Sequence, residues 1–141
     1  MAAVMIEPSL ALQIAVRERL ISTAALIAMV PADHIRAGAT RPDKFPGIII
    51  ADGTVQFLGR AAGGQYVARV FLDLHVWAIE AGLNTAKMIG GTLANILRDA
   101  PAATGFAFDE WRLTRTVWPR DPDPQYGHGV LSAEAVIRWT I

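Results

Sequence analysis

Tyr66-Val-Ala-Arg-Val-Phe-Leu-Asp-Leu-His-Val-Trp-Ala-Ile79 alternates without a break. Successive side chains of a strand point to opposite faces, so Ala68, Val70, Leu72, Leu74, Val76 and Ala78 share one side. The other side reads Val67, Arg69, Phe71, Asp73, His75, Trp77 and Ile79, neither wholly apolar nor wholly polar. The first face is core. The second suits an interface or a covering helix. Neither glycine nor proline interrupts the run, which predicts one long strand, closed by Gly82.

On the N-terminal side, Ala61 to Gln65 with Gly63-Gly64 reads as a turn, Thr54 to Arg60 as a strand, Asp52-Gly53 as a tight turn and Ile48-Ile49-Ile50 as a short buried strand. Pro31 to Gly47 holds three prolines, which deny it a long regular element but leave room for a short strand at His34–Arg36. A loop of that length inside a compact domain usually has a task. Before it, Pro8 and Ser9 open an amphipathic helix. Leu12, Val16 and Leu20 form its stripe, Leu10, Ile14 and Ile21 flank it, and Gln13, Arg17 and Glu18 take the other side. Ser22-Thr23 breaks that helix and caps a second, short one through Met29, which Pro31 stops.

On the C-terminal side, Asn84 or Thr85 caps a helix running to about Asp99, with Ile89, Leu93, Ile96 and Leu97 as its stripe. Gly90-Gly91 inside it costs about 1 kcal/mol per glycine relative to alanine, which points to close backbone packing or a weak point. Phe106–Trp118 and Val130–Ile141 are the last two strands, the second alternating cleanly. The proline-rich loop Pro119–Gly129 projects between them. The order is α-α-β-β-β-α-β-β. Strands in consecutive hairpins, with one helix between them, predict an α+β fold: a largely antiparallel sheet with helices packed on one face, in a single domain over residues 1–141.

The 141 residues are 52% hydrophobic and 18% charged, with a mean hydropathy of +0.32, so some apolar surface is left for a partner. Thirteen basic residues balance thirteen acidic ones, so no global field favours nucleic acid or an anionic membrane. The absence of cysteine excludes disulfides, thiolate catalysis and Cys-based zinc sites. The start, Met1 to Ser9, lacks the basic region of a secretory signal, and the most apolar stretch, Leu20 to Val30, is too short to span a bilayer.

Catalytic patterns are missing. His34, His75 and His128 form no HxxxH or HExxH pair. There is no GxSxG, and the glycine pairs lack the phosphate-loop lysine. Asp109-Glu110 are neighbours in a strand and are expected on opposite faces. Asp121, Asp123 and His128 share the 119–129 loop, the one place where a small metal- or ligand-binding enzyme finds side chains, although a solvated hairpin tip explains them as well. No cofactor is expected. His75 is expected to be a hydrogen-bonded structural histidine. Arg60, Arg69, Arg112, Arg115 and Arg120 form a row suited to phosphates on a channel wall, or an ordinary strand surface paired to Asp73, Asp109 and Glu110. Phe71, Trp77, Trp118, Phe45 and Tyr126 are the candidate subunit contacts, since aromatics anchor interfaces.

Taken in order, the features are a helix pair, a Pro-rich loop ending in Phe45-Pro46, and a strand ending in Leu72-Asp73-Leu74-His75-Val76-Trp77. A helix ending in Ile96-Leu97 follows, then a hairpin with Arg120-Asp121-Pro122 in its loop and Tyr126-Gly127-His128-Gly129-Val130-Leu131 starting the last strand. This pattern, over nearly the whole chain, resembles the tail-completion or tail-terminator proteins of long-tailed phages and gene transfer agents. The resemblance rests on hydrophobic spacing, aromatics and prolines, and offers no catalytic residue to carry over. It implies a structural virion protein, assembled in the host cytoplasm: a homo-oligomeric ring, commonly of six copies, that caps the tail tube at its head-proximal end. Such a ring stops tube polymerisation and docks to the head connector, and DNA passes through it without sequence readout. A head-completion adaptor or stopper between portal and tail is the alternative in the same particle. No membrane is implied.

Overall fold

The computed structural model describes residues 7–38 and 41–140. Ile141, the expected end of the last strand, and most of the Met1–Ser9 start lie outside the described residues. The elements are α1 (Pro8–Ile21), α2 (Ala24–Ile27), a single 3-10 turn (Ala32–His34), β1 (Ile35–Ala37), β2 (Gly47–Ile50), β3 (Thr54–Ala61), β4 (Gln65–Ile79), α3 (Asn84–Ile96), β5 (Phe106–Val117) and β6 (Tyr126–Thr140). The expected α+β order is present, with the short strand of the Pro-rich region as β1.

The sheet runs β1-β2-β4-β6-β5, and β3 pairs with β4 on the same edge that β2 uses further along. Every pairing is antiparallel except β1 with β2. β4 is the spine. It pairs with β6 from Gln65↔Thr140 to Ile79↔Tyr126 without a slip. Its even-numbered face, Ala68 to Ala78, is buried. That face meets Leu12, Val16 and Leu20 of α1, Leu26 of α2, and Ala86, Ile89 and Leu93 of α3, joined by Leu131, Ala135, Ile137 and Trp139 of β6. Helices therefore cover one face of the sheet, and no helix covers the other among the described residues. No described helix is long and apolar enough to cross a membrane.

Three local expectations change. Gln13, assigned to the polar side of α1, is buried. Its amide donates to the carbonyls of Ala51 (2.8 Å) and Ile50 (3.3 Å), where β2 ends, and this roll of the helix leaves Leu10 and Ile14 exposed. Ser22 and Thr23 do not cap α2. Their hydroxyls donate back to the carbonyls of Glu18 and Arg19, closing α1. Neither Asn84 nor Thr85 caps α3 with its side chain. The carboxylate of Glu80, just past β4, accepts the amide N–H of Thr85 at 2.9 and 3.0 Å and places negative charge at the helix N-terminus.

Gly90 does mark close packing. Trp118 lies in a slot between α3 and β6, and a Cβ at Gly90 or Gly129 would strike its indole. Gly91 meets nothing within 4 Å.

Candidate assembly surface

The helix-free face of the sheet carries the odd-numbered side chains of β4 and, opposite them, the even-numbered ones of β6. Its two ends differ. At the end near β1 and β2 the face is roofed by the 41–46 loop. At the other end it is open and charged.

The roofed end is an aromatic stack. Trp77 pairs across the strands with His128, their rings nearly parallel with centroids 3.8 Å apart. His128 Nε2 lies 2.8 Å from His75 Nδ1, so the two imidazoles share one proton between them. Tyr126 meets Trp77 edge-on and Phe45 at 5.2 Å. The guanidinium of Arg41 lies over Trp77 and Tyr126, 4.9 Å from each centroid, and donates to Asp121 Oδ2 at 2.6 Å. One arginine thus ties the Pro-rich loop to the 119–125 loop across the sheet. Burial, then the neighbouring His75, pushes His128 down to about 4, and burial lowers His75 as well. Both imidazoles are neutral at neutral pH. His75 is a hydrogen-bonded structural histidine, as expected.

The open end is laced with ion pairs. Arg69 faces Glu110 at 3.5 Å and Glu134 at 4.0 Å, Arg112 also bonds Glu134, and Arg138 holds Asp109 through two bonds of 2.7 and 3.0 Å. Ser132 donates to Asp73 at 2.6 Å. The Arg138 guanidinium holds the Asp109 carboxyl below its ordinary range. On β4, β5 and β6 this face carries four arginines (69, 112, 115, 138) and four carboxylates (73, 109, 110, 134). Its local charge is balanced.

The arginine row is split by the fold. A bulge between Phe57 and Gly59, where Gly59 takes φ +120°, puts Arg60 opposite Tyr66 on the helix side. Arg69, Arg112 and Arg115 share the helix-free face, and Arg120 is exposed in the loop. Asp109 and Glu110 do not point apart as expected. A second bulge, between Phe108 and Glu110, lets both reach arginines of one face. A third shift, between Leu113 and Arg115, brings Arg115 to the face of Arg112, and no sequence signal marks any of the three except the glycine at 59.

The aromatic candidates also divide. Phe71 is 39% exposed on the helix-free face. Trp77 is only 7% exposed and is enclosed within its own subunit, because the 41–46 loop crosses it. Trp118 packs into the core slot, and Phe45 and Tyr126 are half-buried against each other. Sequence patterning missed Phe57, the most exposed large apolar side chain among the described residues at 74%, and its exposed neighbour Leu58. Trp118 and Tyr126, with Leu83, Pro119, Pro122 and Pro124, line a groove of about 660 Å3.

Tyr126 to Gly129, expected in the loop, belong to β6, and the carboxylates of the shorter 119–125 loop are spent on local structure. Asp121 accepts the N–H of Asp123, and Asp123 that of Gln125. Among the described residues no group of three or more His, Asp or Glu is placed to hold a metal.

Residues 14–138 match the family model described as tail completion protein gp17. The chain belongs to that family. It is a structural virion protein and not an enzyme. The fold is similar to a chain in the virion of a native gene transfer agent particle, at 19% identity and TM-score 0.75, over 90% of this chain and 94% of that one. It is also similar to the gp17 protein of bacteriophage SPP1, at 24% identity and TM-score 0.54, over 95% and 91%. No curated protein matches by sequence.

Proposed function

We propose that this tail completion protein forms a ring, of six copies, that caps the tail tube at its head-proximal end. The ring stops tube polymerisation, docks to the head connector and lets DNA through. The observation that carries the reading is a long sheet with helices on one side only, in a chain of this family. Facing the lumen, a charge-balanced wall lets a polyanion slide. A net basic wall would hold it by counterion release. Arg115 and Arg120, for which no carboxylate partner is seen among the described residues, are the arginines best placed to touch the passing backbone. The partners are the tube protein, the head connector and further copies of this chain, and assembly takes place in the host cytoplasm.

Deletion of the gene followed by electron microscopy of the particles tests this. Tails of uncontrolled length beside filled heads are expected. Finished tails with leaking heads would assign the chain to the adaptor or stopper position instead.

A further inference from the structure

We infer that neighbouring copies join edge to edge, the free edge of β3 in one copy pairing with the free edge of β5 in the next. This rests on the ring reading above and names the surface that builds it.

Strand direction comes first. β4 is antiparallel to β3 and β6, and β6 is antiparallel to β5. The body of the sheet, β3-β4-β6-β5, therefore has four strands of alternating direction, and its outer strands run oppositely. A second copy in the same orientation can lay its β3 along β5 and continue the alternation. An odd number of strands would force a parallel seam. Four permit an antiparallel one that repeats from copy to copy, as a heterologous ring needs.

The edges are also unpaired. Natural edge strands are kept apart by proline, inward charge, bulges or cover, and of these β3 and β5 have bulges but leave Val55–Phe57 and Trp111–Leu113 regular. Among the described residues no strand pairs with the outer side of β3 or β5, Ala103 bridging only Phe106 at the start of β5, and neither strand contains proline. β3 is exposed along nearly its whole length and presents Phe57 and Leu58 to solvent. In a lone subunit that edge is an aggregation hazard. In a ring it is a seam.

The register follows from β1. β2 continues the line of β3 along β4, and β1 adds one more strand outside β2, level with β4 residues 74–76. Val117, the end of β5, is level with His75 through Val130. With no stagger, the neighbour's β1 and the end of β5 would occupy the same line. Displacement along the strands by two residues clears it and keeps every side chain on its own face. Closing a sheet into a barrel demands such a stagger in any case. Phe57 then stands opposite Trp111 on the helix side, and Val55 opposite Leu113. Gln56 stands opposite Arg112 on the lumen side, and no like charges meet.

The chain has no native cysteine, so introduced pairs report cleanly. Gln56→Cys combined with Arg112→Cys should give, on oxidation of assembled particles, a ladder of crosslinked multimers that neither single variant gives. Gln56→Cys with Glu110→Cys (no stagger) or with Arg115→Cys (stagger of four) should crosslink several-fold less. Absence of a ladder in all three pairs, with a ring still visible at the tail end, would overturn the seam and leave the ring. Absence of any ring in the particles would remove both. Phe57→Glu should leave the melting temperature of the separate subunit unchanged and lower its incorporation into particles at least ten-fold. Normal incorporation of that variant would overturn the seam.

Discussion

Trp118 sits where it does because two glycines make room for it, one on α3 and one on β6. Gly129→Ala is expected to push a methyl group into the indole and cost about 1–3 kcal/mol, the usual range for overpacking, seen as a lower melting temperature. Gln13 works in the opposite sense, by filling a need of the backbone. Gln13→Leu keeps the bulk but strands the Ala51 carbonyl just past β2, whereas the Ile50 carbonyl keeps the Gly38 N–H, for a loss of about 1–3 kcal/mol in denaturant titration. Trp77→Ala is expected to destabilise the single subunit by about 3–5 kcal/mol, which marks it as core and not as a contact between chains. His128 titrates near 4 in the folded chain and near 6.5 when unfolded. The unfolded chain thus binds the extra proton first, so stability is full above about 6.5 and falls as pH drops towards 4. Asp121, opposing the shift, and Arg41, favouring it, also face this ring. Melting temperature against pH should be flatter across that window in His128→Gln.

At the scale of elements, what is local was legible. β4 and β6 are unbroken alternations, and each needs only its own sequence to be recognised as a strand with a buried face. β3 and β5 were recognisable too, but their side-chain directions were not, because register shifts at Leu58, Asp109 and Thr114 break the alternation. The roll of α1 is set by carbonyls 37 and 38 residues away, which no helical periodicity encodes. The roof over Trp77 depends on where the 41–46 loop crosses the sheet, a long-range choice held by Arg41 and Asp121. The start of α3 is likewise set from outside, by Glu80. Glu80→Ala is expected to cost about 1 kcal/mol through the lost cap, measured by thermal melting.

For the molecule as a whole, charge and shape are distributed unevenly in a way that bulk composition hides. The chain is neutral overall and its helix-free face is neutral too, but through fixed ion pairs. Its spare apolar surface among the described residues lies at Phe57 and Leu58 on one edge, at Phe71, Ile79 and Val117 on β4 and β5, at Met88 on α3, and at Leu10 and Ile14 on the outer side of α1.

The length of β4 has one more consequence. Fifteen residues of strand, at about 3.3 Å each, separate the Gly63-Gly64 turn from the 119–125 loop by roughly 50 Å. The glycine turn is exposed, and neither glycine has a neighbour near its Cβ position. A short peptide tag inserted there should be accepted without disturbing the fold, and a gold-labelled antibody against it would act as a compass needle. Where the label appears along the particle, at the capsid end of the tail or elsewhere, would test the proposed position, and its side of the proposed ring would give the chain's polarity in a single micrograph.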